Sequence, residues 1–142
     1  MPQGNAFFIW CFLLIIYLMT LLELYNTCRK RFPDLVAKVD DEHRRLWGSV
    51  DDEFAYSWFE TLAHTLNHEM NHGVDPVELS GLFEFLEENY LTGDKEVKNC
   101  IDVGFTESLF WQVPPAKAAR YWLLLPNTLK DLYIDFHDTK PA

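Results

Sequence analysis

Proline and glycine punctuate this chain repeatedly, and that punctuation limits its fold more than any other feature. Pro33, Gly48, Gly73, Pro76, Gly93, Pro114, Pro115 and Pro126 separate segments that each have room for a few helical turns. Within the segments, apolar residues recur three and four apart, the helical period. No stretch alternates convincingly as a half-buried strand would. Helices joined by such short connections must lie antiparallel to their neighbours. The predicted fold class is all-α: an irregular helical bundle or stacked helical hairpins, with an apolar N-terminal helix. No repeat is strong enough to choose between the two arrangements.

The helix boundaries follow from caps and breakers. Phe32-Pro33-Asp34 ends a first helix, and Asp34 is placed to cap a second that stops at Gly48-Ser49, after Trp47. Asp51, Asp52 and Glu53 stand where a third helix begins and complement its positive end. That helix carries Phe54, Trp58, Leu62, Leu66 and Met70 inward and stops at Gly73. The plainest start comes next. Asp75 is the cap, Pro76 takes the first helical position, and Glu78 sits where a capping box wants it. Leu79, Leu82, Phe83, Leu86 and Tyr90 form its apolar stripe, with Glu84, Glu87 and Glu88 facing away. Asp94 caps a helix carrying Val97, Cys100, Ile101, Phe105 and Leu109, which Pro114-Pro115 ends. "AKAARYWLLL" and "NTLKDLYIDF" supply the last two helices.

At 142 residues the chain suffices for one core. The expected division is an all-helical domain over residues 20–138 and an apolar segment over residues 1–25. Within that segment "AFFIWCFLLIIYLMTLL", Ala6 to Leu22, is uncharged and just long enough to span a bilayer. It lacks the basic flank and cleavage site of a signal peptide. Arg29-Lys30-Arg31 follow it, so an anchor would leave the domain in the cytoplasm, tethered at the inner membrane. Two other accounts stand beside the anchor. Met19 opens an amphipathic helix with Leu21, Leu22, Leu24, Tyr25 and Cys28 on one side, so residues 1–18 could precede the true start. Alternatively the segment is a buried core helix.

Charge narrows the partners. With 22 acidic against 12 basic side chains the formal charge is −10. Nucleic acid is not an expected partner, because phosphate binding needs clustered Lys and Arg. A basic protein is, since complementary fields speed encounter. Cys11, Cys28 and Cys100 are too few and too far apart for a disulfide framework.

One stretch suggests chemistry. In "HTLNHEMNH", His64 to His72, the residues His68-Glu69-Met70-Asn71-His72 match H-E-x-x-H, which on a helix puts two imidazoles on one face for zinc with the Glu as base. Yet His64, His68 and His72 lie opposite Leu62, Leu66 and Met70, on the side expected to face solvent. Gly73 ends the helix at the motif, and the only available third ligands are Glu84, Glu87 and Glu88, on the outer face of their own helix. The reading taken is a solvent-facing histidine row, with His68 and His72 the only metal candidates and no cofactor expected. Ser57, Ser80 and Ser108 lack a nucleophile-elbow context, and no glycine-rich phosphate loop occurs. Asp40-Asp41 and Asp51-Asp52 read as solvated helix ends. Trp10, Trp47, Trp58, Trp111 and Trp122 read as core or interface anchors. Asn99, Val103 and Glu107 share a helix stripe that could lock two helices together or contact a partner.

"FPDL" (Phe32 to Leu35), "LFEFLEENYLTGDKEVKN" (Leu82 to Asn99) and "VGFTESL" (Val103 to Leu109) resemble a family of small bacterial all-helical proteins carrying a domain of unknown function. Its pattern is F-P-E-L, then L-F-x-F-L-E, a G-D turn, V-x-N and V-G-F-x-E, and the likeness covers about residues 20–136. Here Asp34 replaces the Glu of the first motif. The H-E-x-x-H pattern and the apolar extension before Met19 are further departures. The resemblance implies immunity or antitoxin-like proteins of bacterial toxin loci. The leading expectation is therefore a non-enzymatic immunity protein that neutralises a cognate toxin with a basic surface. Asp51, Asp52, Glu53, Glu84, Glu87 and Glu88 are the expected contact residues. A membrane-tethered helical scaffold, held through residues 6–22, is the alternative. A small zinc enzyme using His68, Glu69 and His72 is the third reading.

Overall fold

The computed structural model of this chain describes residues 18–141, and it opens on a helix start formed within four residues. Thr20 is extended; its hydroxyl accepts the Glu23 N–H while the Glu23 carboxylate accepts the Thr20 N–H, a reciprocal capping box. Seven α-helices follow: α1 (Leu21–Arg31), α2 (Pro33–Trp47), α3 (Ala55–Asn71), α4 (Pro76–Thr92), α5 (Lys95–Asn99), α6 (Pro115–Trp122) and α7 (Asn127–His137). A 3₁₀ turn, Asp52–Phe54, precedes α3, and α5 runs straight into a π-helical turn, Cys100–Thr106. No strand forms among the described residues. The fold is all-α, a helical bundle.

α3 is its centre. It packs against α1, α2, α6 and the π turn, and buries Trp58, Phe59, Leu62, Ala63, Leu66 and Met70 completely. The π turn and the residues after it keep Ile101, Phe105 and Leu109, spaced by four, all buried. Gly104 adapts the turn to α3, because a Cβ there would lie 3.3 Å from the Tyr56 ring.

Several expected boundaries hold. Gly48 ends α2 in the left-handed region at φ 86°. Asp94 caps α5 through the Val97 N–H. Others shift. Asp34 does not cap α2: Phe32 holds that position, Pro33 takes the first helical one, and Asp34 sits inside the first turn. Asp75 does cap α4, through the Val77 N–H. Phe54 and Leu22 are about half exposed, because the 3₁₀ turn rotates the first out of register and the second lies on the outer side of α1. Leu21 is core, and the Met19 carbonyl accepts the Asp94 N–H at 3.0 Å. The apolar stretch is thus broken at Thr20, and its last residues belong to the bundle. Its earlier part lies outside the described residues, as do Trp10 and Cys11. Among the described residues no helix is long and apolar enough to cross a membrane.

Two buried polar groups join the first three helices. Asp40, expected at a solvated helix end, lies in mid-helix against α1 and α3. It accepts two bonds from Arg29 at 2.8 and 2.7 Å and one from the Trp58 indole at 2.9 Å. One turn later His43, fully buried, pairs its Nδ1 with the Thr61 hydroxyl at 3.0 Å. That hydroxyl's own hydrogen goes to the Ser57 carbonyl, so His43 Nδ1 carries the proton and Nε2 is left with no protein partner.

Burial lowers the His43 pKa below the ordinary imidazole value, because the cation would be desolvated. The unfolded chain then binds the proton more readily. The His43 contribution is complete above about pH 6.5 and fades as pH falls toward the lowered value, by at most about 1.4 kcal/mol per pH unit. Urea unfolding between pH 8 and 5 should show this loss, and His43→Gln should remove it. An equal pH slope in the variant would place the effect elsewhere.

Candidate interaction surface

The "HTLNHEMNH" stretch forms the second half of α3, and its alternating residues do three different jobs. Leu66 and Met70 enter the core, while His64, His68 and His72 face outward. The rings of His68 and His72 lie 4.2 Å apart, and His72 Nδ1 donates to the His68 carbonyl at 2.8 Å. Glu69 turns toward α2 and pairs with Lys38 at 3.2 Å. No group of three or more His, Cys, Asp or Glu side chains able to hold a metal assembles among the described residues.

Asn67 and Asn71 do the third job. The Asn67 amide donates to the Ser108 carbonyl at 2.9 Å, and its oxygen accepts the Phe110 N–H at 2.7 Å. Asn71, one turn on, donates to the Gln112 carbonyl at 3.2 Å. The loop they hold is strained, with Phe110 at φ 68° and Gln112 at φ 57°. Left-handed backbone at such residues costs on the order of 1–3 kcal/mol each. The Phe110 side chain is locked inside against Trp122 and Tyr133, which turns Trp111 outward. Trp111 is 59% exposed and meets His64 edge to face, with centroids 5.8 Å apart.

Trp111 thereby stands on one lip of an open groove floored by α3. Glu42, Arg45 and Leu46 of α2 form the other lip; His64, Asn67, His68 and Asn71 line the floor. This part measures about 480 Å³, and a second part of about 450 Å³ continues toward Lys38 and Glu69. Glu42 holds Arg45 through two hydrogen bonds, so the groove's own arginine is already engaged. Leu46, Trp47 and Trp111 are all largely exposed, whereas Trp58 and Trp122 are core.

Beyond His64, the outward row of α3 continues to Glu60. Four carboxylates lie in this region: Glu60 of α3 and Asp102 and Glu107 of the π-turn region act on Tyr56, and Asp135 of α7 acts on Asp102. Burial and then the Asp135 charge raise the Asp102 pKa; burial and then Asp102 raise that of Glu107, with His137 opposing. No Lys or Arg forms an ion pair with any of the four among the described residues. From the Asn99, Val103 and Glu107 stripe, the Asn99 amide donates to the Tyr56 hydroxyl at 3.3 Å. The Glu107 backbone carbonyl accepts from His137 Nε2 at 3.0 Å.

The six acidic residues expected at a contact face sit elsewhere and apart. Asp51, Asp52 and Glu53 are exposed at the 3₁₀ turn, where Asp51 accepts the Glu53 N–H. Glu84 and Glu88 are exposed on α4. Glu87 is not free surface: half-buried, it accepts the Thr128 N–H at 3.1 Å and caps α7, whose own cap position is Pro126. Cys28 and Cys100 are buried thiols with pKa values pushed up by desolvation, Cys28 to about 12, so the nucleophilic thiolate is disfavoured.

The chain matches, over residues 25–139, a family described as a domain of unknown function (DUF7674). No curated protein and no solved structure matches it.

Two contrasts check these roles by thermal melting. Asn67→Ala orphans the buried Phe110 N–H and releases the strained loop, and should cost about 2–4 kcal/mol. His68→Ala, on the same helix but outward, should stay within about 0.5 kcal/mol of the parent. On α4, Glu87→Lys puts a cation at the N-terminus of α7 and should lose about 1–2 kcal/mol, while Glu84→Lys and Glu88→Lys should be nearly neutral. Equal melting temperatures within either set would refute the assigned role.

Proposed function

The chain belongs to the DUF7674 family of domains of unknown function, and from that premise we propose that it is a non-enzymatic binding protein, a cytoplasmic immunity protein that neutralises a bacterial toxin by direct contact. The observation that carries this reading is the nearness of Asp102, Glu107 and Asp135 where the π turn packs against α7, without a pairing Lys or Arg among the described residues. Four other acids do have a counterion of their own chain: Asp40 with Arg29, Asp41 with Arg44, Glu42 with Arg45 and Glu69 with Lys38. Like charges left together on a surface repel, and a cationic partner relieves that repulsion. The formal charge of −10 extends the attraction over the whole molecule. Exposed Leu46, Trp47 and Trp111 supply apolar contact area of the kind that dominates binding energy.

Co-expression with the toxin encoded beside it should restore growth, and the two chains should co-purify. Association should slow as salt rises, because screening shortens the field's reach. A cationic partner favours the ionised carboxylates, so affinity should also weaken as acidification protonates Asp102 and Glu107, whose pKa values are raised. Asp102→Asn with Glu107→Gln should slow association several-fold without unfolding the domain. Failure of the parent chain to rescue or to bind would overturn the immunity reading. The membrane-tethered scaffold would then lead, with salt-resistant sedimentation of the full chain as its check.

A further inference from the structure

We infer that the notch between α4 and the corner joining α6 to α7 is a docking site for a basic amphipathic helix of a protein partner. This deepens the binding reading above and rests on it for the identity of the partner. The notch measures about 470 Å³. Glu84 and Glu87 of α4 form one wall, Leu123, Leu124 and Pro126 form the other, and Lys130 of α7 also lines it.

The apolar wall is the first ground. The chain leaves α6 in two tight turns, with the Leu124 N–H donating to the Tyr121 carbonyl and the Leu125 N–H to the Trp122 carbonyl, each at 3.1 Å. Trp122 and Leu125 are buried, and the two leucines between them are carried outward. Leu123 is 76% exposed, more than any other large apolar side chain among the described residues, and Leu124 is 39% exposed. Pro126 follows them as the cap position of α7. The Glu87 carboxylate accepts the Thr128 N–H at 3.1 Å and so ties the two walls together. One exposed leucine is ordinary, but two with a proline beside a notch form a patch of the kind that marks a protein contact.

Charge is the second ground. Glu84 is exposed on the wall facing the leucines, and Glu88, also exposed, extends its row one turn along α4. Neither forms an ion pair among the described residues. Lys130 does not neutralise them: it lies over the Trp122 ring, 5.6 Å from its centroid, and pairs with no acid. Two carboxylates four residues apart on a helix suit two cations four residues apart on another. An apolar wall beside such a row complements a helix with aliphatic side chains on one face and lysine or arginine along its flank. Anionic lipid headgroups would meet the same carboxylates and be repelled.

The test titrates the full chain, labelled with nitrogen-15, with an amphipathic helical peptide of leucine and lysine, followed by amide NMR shifts. Two control peptides keep the pattern, one with glutamate for lysine and one with serine for leucine. The leucine–lysine peptide should shift the amides of Leu123, Leu124, Glu84 and Glu88 saturably, and both controls should bind far more weakly. Leu123→Ser with Leu124→Ser should weaken the peptide by about tenfold or more, and Leu123→Ser alone should give part of that loss. Glu84→Gln with Glu88→Gln should weaken it several-fold and flatten its salt dependence. Leu91→Ser, an exposed leucine elsewhere on α4, should change nothing. Equal affinity in the leucine variants, or shifts centred on another face, overturns the proposal. So does a Leu123→Ser variant that loses binding to phosphatidylserine vesicles while keeping the peptide, since the corner would then be a lipid contact. Growth rescue separates the notch from the broader reading. Rescue by the parent chain but not by the folded double leucine variant supports the notch, and undiminished rescue by that variant overturns it while leaving the binding function intact. If the parent chain does not rescue, the immunity reading fails and the peptide titration alone decides the notch.

Discussion

Asp40 is the joint on which the first half of the bundle depends. It sits in the middle of α2 and receives Arg29 from α1 and the Trp58 indole from α3, so one carboxylate fixes three helices at once. Burial alone would raise its pKa, but the bonds from Arg29 and Trp58 outweigh that and hold it below the ordinary carboxylate value. Its contribution is therefore present above the ordinary carboxylate pKa and is lost as pH falls through the lowered one. Arg29 completes the joint by lying over the rings of Tyr25 and Trp58. A satisfied buried pair is worth little against a well-packed apolar substitute, whereas removing one member strands the other at about 3–5 kcal/mol. Arg29 keeps some solvent contact, so the lower end of that range applies. What the joint supplies is register. It ties α3 to α1 and α2 in the rotation that its apolar face already prefers.

That rotation decides the meaning of the histidine-rich stretch. With Trp58, Leu62, Leu66 and Met70 inside, the i, i+4 pair Asn67 and Asn71 is directed at the loop after the π turn, and His64 and His68 form the floor of an open groove. The letters of a zinc motif thus carry a pinning pair interleaved with a surface row. Glu69, the residue a metalloprotease would use as base, is tied to Lys38.

The distribution of charge follows the same geometry. Ion pairs form where α2 can reach a neighbour or its own next turn. The π turn instead brings Asp102 toward Asp135 of α7 and Glu107 toward Asp102, with no such counterion beside them. The strained Trp111 loop leaves from the end of that turn. The acidic end and the exposed indole therefore lie on one continuous stretch of chain.

Helix number, breaks and most caps were legible in the residues, because these are contests within a few positions of the chain. Gly48 admits a left-handed φ, Asp94 reaches the Val97 amide, and the four-residue spacing of Ile101, Phe105 and Leu109 was visible though its wider turn was not. The histidine row was placed on the outer face by the same periodicity. Tertiary structure alone decided the rest. Asp40 and Glu87 looked like solvated acids, since the spacing of α2 and α4 says nothing of Arg29 or Thr128 arriving from another helix. Phe110 and Gln112 carry no local signal for positive φ; the Asn67 and Asn71 amides, 43 and 41 residues away along the chain, hold them there. Periodicity and capping are short-range, so the sequence by itself determined the helices and their buried faces. Which polar group meets which across the bundle is set by helix rotation and packing, and only the folded chain could settle that.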